Sequence, residues 1–136
     1  LEAEPVPSDW VAVQISCGYT FRAPPDVVMR AVTGIDSCVS AWNTSNCVHM
    51  GDYGAYSSTL TEYEEFPQYE ASQESIDGRA AKMVTAESDG AFIAAVHFPR
   101  VDRDAEGVLL TIWAECQDLA GQNDALKVFR TITFSR

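Results

Sequence analysis

A chain of 136 residues that is 46% hydrophobic and 21% charged is long enough for one hydrophobic core, and its composition excludes an intrinsically disordered protein. Twenty acidic side chains against nine basic ones leave a net charge of −11, so the surface repels phosphate and lacks the basic patch that nucleic acid or anionic lipid requires. A cationic protein partner is compatible with this charge, because complementary fields speed encounter, and the charge also serves plain solubility.

No stretch approaches the roughly 18 apolar residues of a spanning helix, so no membrane span is expected. The opening Leu1-Glu2-Ala3-Glu4-Pro5-Val6-Pro7 reads either as the mature end left by a signal peptide or a lipoprotein anchor, or as a trimmed start. Residues 1–9 are expected to be an extended lead into a single domain covering 1–136. Four cysteines, Cys17, Cys38, Cys47 and Cys116, include no Cys-x-x-Cys pair and are accompanied only by His49 and His97. A zinc site is therefore poorly supported, and an even count in a small acidic domain favours disulfides and a periplasmic or secreted location. Of the three possible connectivities, Cys38 with Cys47 and Cys17 with Cys116 are favoured, the first clipping a polar loop and the second joining two strands.

In chain order, Trp10–Ser16 and Tyr19–Ala23 read as a hairpin with Gly18 in its turn. Pro25–Val32 reads as a short helix entered through proline. From Asp36 to Tyr56 the Ser, Asn, Gly and Cys content predicts an ordered loop. Tyr56–Thr61 and Tyr69–Ile76 read as strands on either side of the acidic stretch Glu62–Pro67. Asp77-Gly78 and Ser88-Asp89-Gly90 are turn signals that frame a meander of Arg79–Ala86, Phe92–Phe98 and Val108–Cys116. Period two puts Phe92, Ala94, Val96 and Phe98 on one face, as it does Val108, Leu110, Ile112, Ala114 and Cys116. His97 then falls on the opposite face, and Asp102–Gly107 connects the two strands. Gln122–Arg130 predicts a short helix with an Asn or Asp cap, and Thr131–Phe134 a closing strand. The fold class is α+β: a mostly antiparallel, sandwich-like sheet with one or two short helices, stabilised by disulfides.

Chemistry is sparse. A nucleophile needs a base beside it, and the two histidines are one core-strand residue and one, His49, in the cysteine loop near Asp52. Glu62, Glu64, Glu65 and Glu70 cluster around tyrosines, but such a run is ordinarily a solvated face. Phosphate-loop, Gly-x-Gly-x-x-Gly, His-Glu-x-x-His and Gly-x-Ser-x-Gly motifs do not occur, so no enzyme, metal or cofactor is expected. Two loops offer contact chemistry on a sheet: the tip Glu87-Ser88-Asp89-Gly90, and the stretch 52–58, where Tyr53 and Tyr56 are aromatic anchors.

The sequence Tyr19-Thr20-Phe21-Arg22-Ala23-Pro24, the Ile76-Asp77-Gly78-Arg79-Ala80-Ala81-Lys82 turn and Phe129-Arg130-Thr131-Ile132-Thr133-Phe134 together resemble Mog1/PsbP-like domains. That resemblance implies an α/β sandwich and, as an alternative function, an envelope lipoprotein or assembly domain with a scaffold role. An acidic exported domain with paired cysteines and a polar tip also resembles the periplasmic immunity proteins of type VI secretion peptidoglycan amidase effectors. The function this second resemblance implies is inhibition: a basic secreted cell-wall hydrolase, its cleft blocked by Ser88 and Asp89.

Overall fold

The computed structural model describes residues 6–32, 34, 38–54, 59–101 and 109–134. Among these, β1 (Val11–Ile15), β2 (Tyr19–Ala23) and β10 (Thr133–Phe134) form a small antiparallel sheet in the order β1-β2-β10. A larger antiparallel sheet contains β3 (Val28–Arg30), β4 (Cys38–Asn43), β5 (Cys47–Gly54), β6 (Glu70–Ile76), β7 (Arg79–Ser88), β8 (Ala91–Phe98) and β9 (Leu109–Cys116). Its order is β3-β4-β5-β9-β8-β7-β6, so β3 and β6 are its edges. The helix α1 (Leu119–Arg130) and the small sheet cover one face of the large one, and the expected α+β class with mostly antiparallel sheet is what the chain adopts.

The core lies between these layers. Alternation sends Ala94, Val96 and Phe98 of β8 and Leu110, Ile112, Ala114 and Cys116 of β9 inward, against Ala125, Val128 and Phe129 of α1. Tyr19 and Phe21 come down from the small sheet; Tyr19 stacks on Tyr53 with ring centroids 5.9 Å apart, and Phe21 packs 4.6 Å from Trp42. Tyr19 also shares a buried hydrogen bond of 2.7 Å with Ser40. Burial pushes its phenol up to about 12, so the hydroxyl keeps its proton at any ordinary pH. On the opposite face the segment after β5 folds back, and Leu60 joins Val84 and Ala95 in a second, smaller cluster flanked by Tyr63, Tyr69 and Trp113.

Several expectations are corrected. Pro25–Val32 is not helical: Pro24 and Pro25 form a turn closed by Val27 N donating to Pro24 O, and Val28–Arg30 pairs as an edge strand with β4. A helix of eight residues gains few bonds to offset its nucleation, whereas Val28–Arg30 beside a ready edge gains a ladder. The loop expected over Asp36–Tyr56 contains β4 and β5, which pair from Cys38 opposite Tyr53 to Asn43 opposite Val48; Ser40, Cys47 and Gly51 fill close-packed inward positions. Of the strand expected over Tyr56–Thr61, residues 56–58 lie outside the described ones, and Thr61–Tyr63 is a 3₁₀ turn entered through Leu60 at φ 68°. The connection 102–108 is likewise outside them. The last helix begins at Leu119, earlier than expected, because Asp118 caps it by accepting a 2.7 Å bond from Gly121 N.

The sulfur pairing is also different: Cys17 joins Cys38, and Cys47 joins Cys116. Cys38 opens β4 and Cys47 opens β5, and these strands run antiparallel with Cys38 opposite Tyr53. The two cysteines therefore sit at opposite ends of one hairpin, about 20 Å apart at 3.3 Å per residue, beyond any disulfide's reach. Cys47 and Cys116 instead face each other directly across β5 and β9. The Cys17–Cys38 bridge ties the β1–β2 turn to β4, and so the small sheet to the large one.

Gly51 marks where the layers approach closest. A Cβ there would stand 2.7 Å from the Tyr19 hydroxyl and 2.9 Å from Ser40 Oγ, and the fully buried Tyr19 ring has nowhere to go. Gly51→Ala is expected to cost about 2–3 kcal/mol of stability, as overpacking does. Urea unfolding checks this, and a variant as stable as the parent would show that the Tyr19–Ser40 contact yields freely.

Candidate functional site

Two type I′-like turns close hairpins of the large sheet. Asp77-Gly78 has φ of 51° and 74°, and Asp89-Gly90 has 49° and 84°, the left-handed pair that Asp and Gly tolerate best. Their surroundings differ. Asp77 Oδ2 accepts from Phe134 N at 2.9 Å and from Arg79 at 3.0 Å, and the Arg79 guanidinium lies over the Phe134 ring, so this turn is tied down to β10. Asp89 and Gly90 are exposed, and no hydrogen bond or ion pair ties Asp89 to the other described residues. Glu87 and Ser88 are half-buried on the last rungs of β7, opposite Phe92 and Ala91. The expected tip is therefore an exposed two-residue turn that closes the β7–β8 hairpin.

The surroundings of the tip are acidic. Glu87 N donates to Pro67 O at 2.8 Å, which places the segment carrying Glu64 and Glu65 beside it. Glu115, opposite Ile93, completes the same end of the outer face. Tyr63 registers this field: burial first, then the charges of Glu62 and Glu115, raise its phenol above the ordinary value. Residues 59–69, 83–99 and 109–118 include no lysine or arginine. Among the described residues, several cations elsewhere have partners within the fold. Arg130 holds Glu74 through two bonds of 2.9 Å, lowering that carboxyl, and Arg22, Arg30 and Lys82 donate to the backbone carbonyls of Trp10, His49 and Thr59.

The other expected contact residues are not brought to this end. Tyr53 is half-buried, stacked on Tyr19, and its rung pairs with Leu110 and Phe98. The tip end is marked by the rung Cys47, Cys116, Phe92, Glu87, six residues away, or about 20 Å. Tyr56 lies outside the described residues. The sequence places tyrosines among these acids but does not show how they pack: Tyr63 lies edge-on against Phe66 at 5.4 Å and, with Tyr69 and Trp113, borders the small outer cluster. The fold-back that assembles them is a long-range event.

Both histidines are buried. His97 is buried on the outer face, its Nδ1 sharing a 2.8 Å hydrogen bond with Thr111, and burial followed by the charge of Lys82 lowers its basicity. His49 points inward between Trp42 and Phe129, whereas Asp52, three residues on in the strand, faces the other side. Among the described residues no cluster of three or more His, Cys, Asp or Glu side chains could hold a metal ion, and no helix is long and apolar enough to cross a membrane.

Fold and site together define a two-disulfide, mostly antiparallel α+β domain with an acidic end. Compared with known protein families and with curated proteins, the chain finds no matching family model and no matching relative.

Proposed function

We propose that this chain is an extracytoplasmic inhibitor that seats the Glu87–Gly90 hairpin end in the cleft of a cationic secreted cell-wall hydrolase, as an immunity protein does. The observation that carries this reading is the tip itself: a preformed turn at the end of two long paired strands, untied among the described residues where its sister turn is tied, and set beside acidic segments that carry no lysine or arginine. A preorganised tip loses little entropy on docking, and the surrounding charge steers a basic partner toward it. The Cys17–Cys38 and Cys47–Cys116 bridges support a compartment outside the cytoplasm, where such bonds persist. The Ser88 hydroxyl and Asp89 carboxylate supply hydrogen-bonding groups for a cleft.

Titration into cell-wall turbidity assays of cationic peptidoglycan amidases and muramidases tests the proposal. Stoichiometric inhibition of at least one of them is expected. Ser88→Arg and Asp89→Asn should weaken it at least about tenfold, and the second variant keeps a residue at home in the left-handed region. Inhibition should also weaken between 10 mM and 150 mM salt, as the screening length falls from about 30 to about 8 Å. No inhibition across the panel, or inhibition indifferent to both variants, would sink the reading. Capture of envelope scaffold proteins alone would favour the Mog1/PsbP-like alternative instead.

A further inference from the structure

The flank of the large sheet away from β3 ends in β6, a seven-residue strand that pairs with β7 on one side only. Ile76 and Arg79 flank a two-residue turn and so form a hydrogen-bonded pair, and the ladder alternates from there. By that alternation the N–H and C=O groups of Ala71, Gln73 and Ser75 point outward from the sheet, without a strand among the described residues to receive them. Natural edges are ordinarily blunted by proline, charged side chains or a bulge; β6 has no proline, no lysine and an unbroken register with β7 from Glu70 to Ile76, and the charges it carries are the carboxylates of Glu70 and Glu74.

Beside this edge runs a groove of about 390 Å³ between β6 and α1. Its floor is apolar, made by Met83 and Leu126, and its rim carries Glu70 at one end and the Glu74–Arg130 pair at the other. Glu70, Ser72 and Glu74 are the β6 residues whose side chains lie on the groove side, since they pair with Thr85, Met83 and Ala81. Unsatisfied backbone in a line, an aliphatic floor at its middle and a carboxylate at its end describe one kind of ligand.

We propose that the β6 edge accepts an extended, basic peptide segment of a partner protein by strand addition. Backbone bonds to Ala71, Gln73 and Ser75 hold the segment, an aliphatic side chain opposite Ser72 enters the groove over Met83 and Leu126, and a lysine or arginine two residues along meets Glu70. Spacing by two places both side chains on the groove side. A second copy of this chain is a poorer occupant, because edge-to-edge pairing would bring Glu70 and Glu74 of both copies into one ladder between bodies each carrying −11. This surface is the sheet's flank, separate from the hairpin tip, and stands whether or not the tip inhibits an enzyme.

The test uses the whole chain and the acetylated, amidated heptapeptide Thr-Lys-Thr-Val-Thr-Lys-Thr, followed by amide chemical shifts and hydrogen exchange. Shift changes confined to residues 70–76 and the groove, with slowed exchange at Ala71, Gln73 and Ser75, are expected. N-methylation of the two threonines flanking the valine removes the donors to the edge and should weaken binding at least about tenfold while leaving peptide charge unchanged. Gln73→Pro removes an outward N–H and no ladder bond, so it should abolish binding with little change in thermal stability. Equal binding of the N-methylated peptide, or shifts centred on Glu62–Glu65 and Asp89, would show mere adsorption to negative charge and overturn the proposal. So would a dimer whose edge amides are already protected without peptide.

Discussion

Replacing Cys47 and Cys116 together by alanine is expected to lower the free energy of unfolding by about 4 kcal/mol, against about 3 kcal/mol for the same change at Cys17 and Cys38. The difference follows from the chain closed by each bridge: the sequence separation is 69 residues in the first and 21 in the second, and the entropy removed from the unfolded chain grows with the logarithm of that length. Packing adds to it. Cys47 and Cys116 are 4% and 2% exposed, and Gly121 of α1 sits so close above them that an added Cβ would be 3.2 Å from Cys47 Sγ and from Cys116 Cβ. Truncating these sulfurs leaves a void beneath the start of the helix, with the cost that cavities bring.

Accessibility orders the chemistry as well. Cys38 is exposed and Cys17 half-buried, so a mild thiol reductant under native conditions should open that bridge first and leave the buried one intact. Alkylation followed by peptide mass mapping reads this order, while urea unfolding of the two double variants reads the stabilities. Equal losses in the two variants, or first labelling at Cys47 and Cys116, would show that the buried bridge is not the principal staple.

The meander was legible because its signals are local. Asp77-Gly78 and Asp89-Gly90 each demand a left-handed turn, and the alternation from Ala94 to Phe98 and from Leu110 to Cys116 is unbroken. β4 and β5 were not legible, because their inward positions are occupied by Ser40, Cys47, His49 and Gly51, which read as loop residues until Tyr19 and Trp42 close over them. The start of α1 was hidden by Gly121, a poor helix former that is there for its fit against the Cys47–Cys116 bridge. For the candidate site, the tip could be read from Ser88-Asp89-Gly90 alone. Its acidic and aromatic border could not, since Glu115 and Tyr63 are adjacent only after Leu60 docks on Val84 and Ala95. Edge status is likewise a property of strand order: nothing in residues 70–76 distinguishes a flank from a central strand with one solvated face.

Acidification from pH 7 to pH 4 is expected to remove about 3 kcal/mol of stability through His49 alone. The imidazole is 1% exposed, stacked on Trp42 at 5.2 Å with Phe129 edge-on at 6.3 Å, and neither ring nitrogen has a hydrogen-bond partner among the described residues. Burial, with the nearby Arg30 charge adding to it, lowers its pKa to about 4 from an ordinary 6.5. The folded state thus keeps the ring neutral while the unfolded chain takes up a proton below pH 6.5, so the stability is complete above that value and is lost as pH falls toward 4. His97 is lowered too and acts in the same direction, whereas the Glu74 carboxylate is held below the ordinary carboxylate range by Arg130 and gives way only at lower pH. His49→Leu separates these contributions. Because the ring nitrogens make no bonds, the variant should lie within about 1 kcal/mol of the parent at pH 7 and lose most of the slope between pH 6.5 and 4. Urea midpoints measured across that range decide it: a variant that keeps the parent's slope would mean that protons are taken up elsewhere on unfolding, and that the His49 ring already finds a way to carry its charge inside the fold.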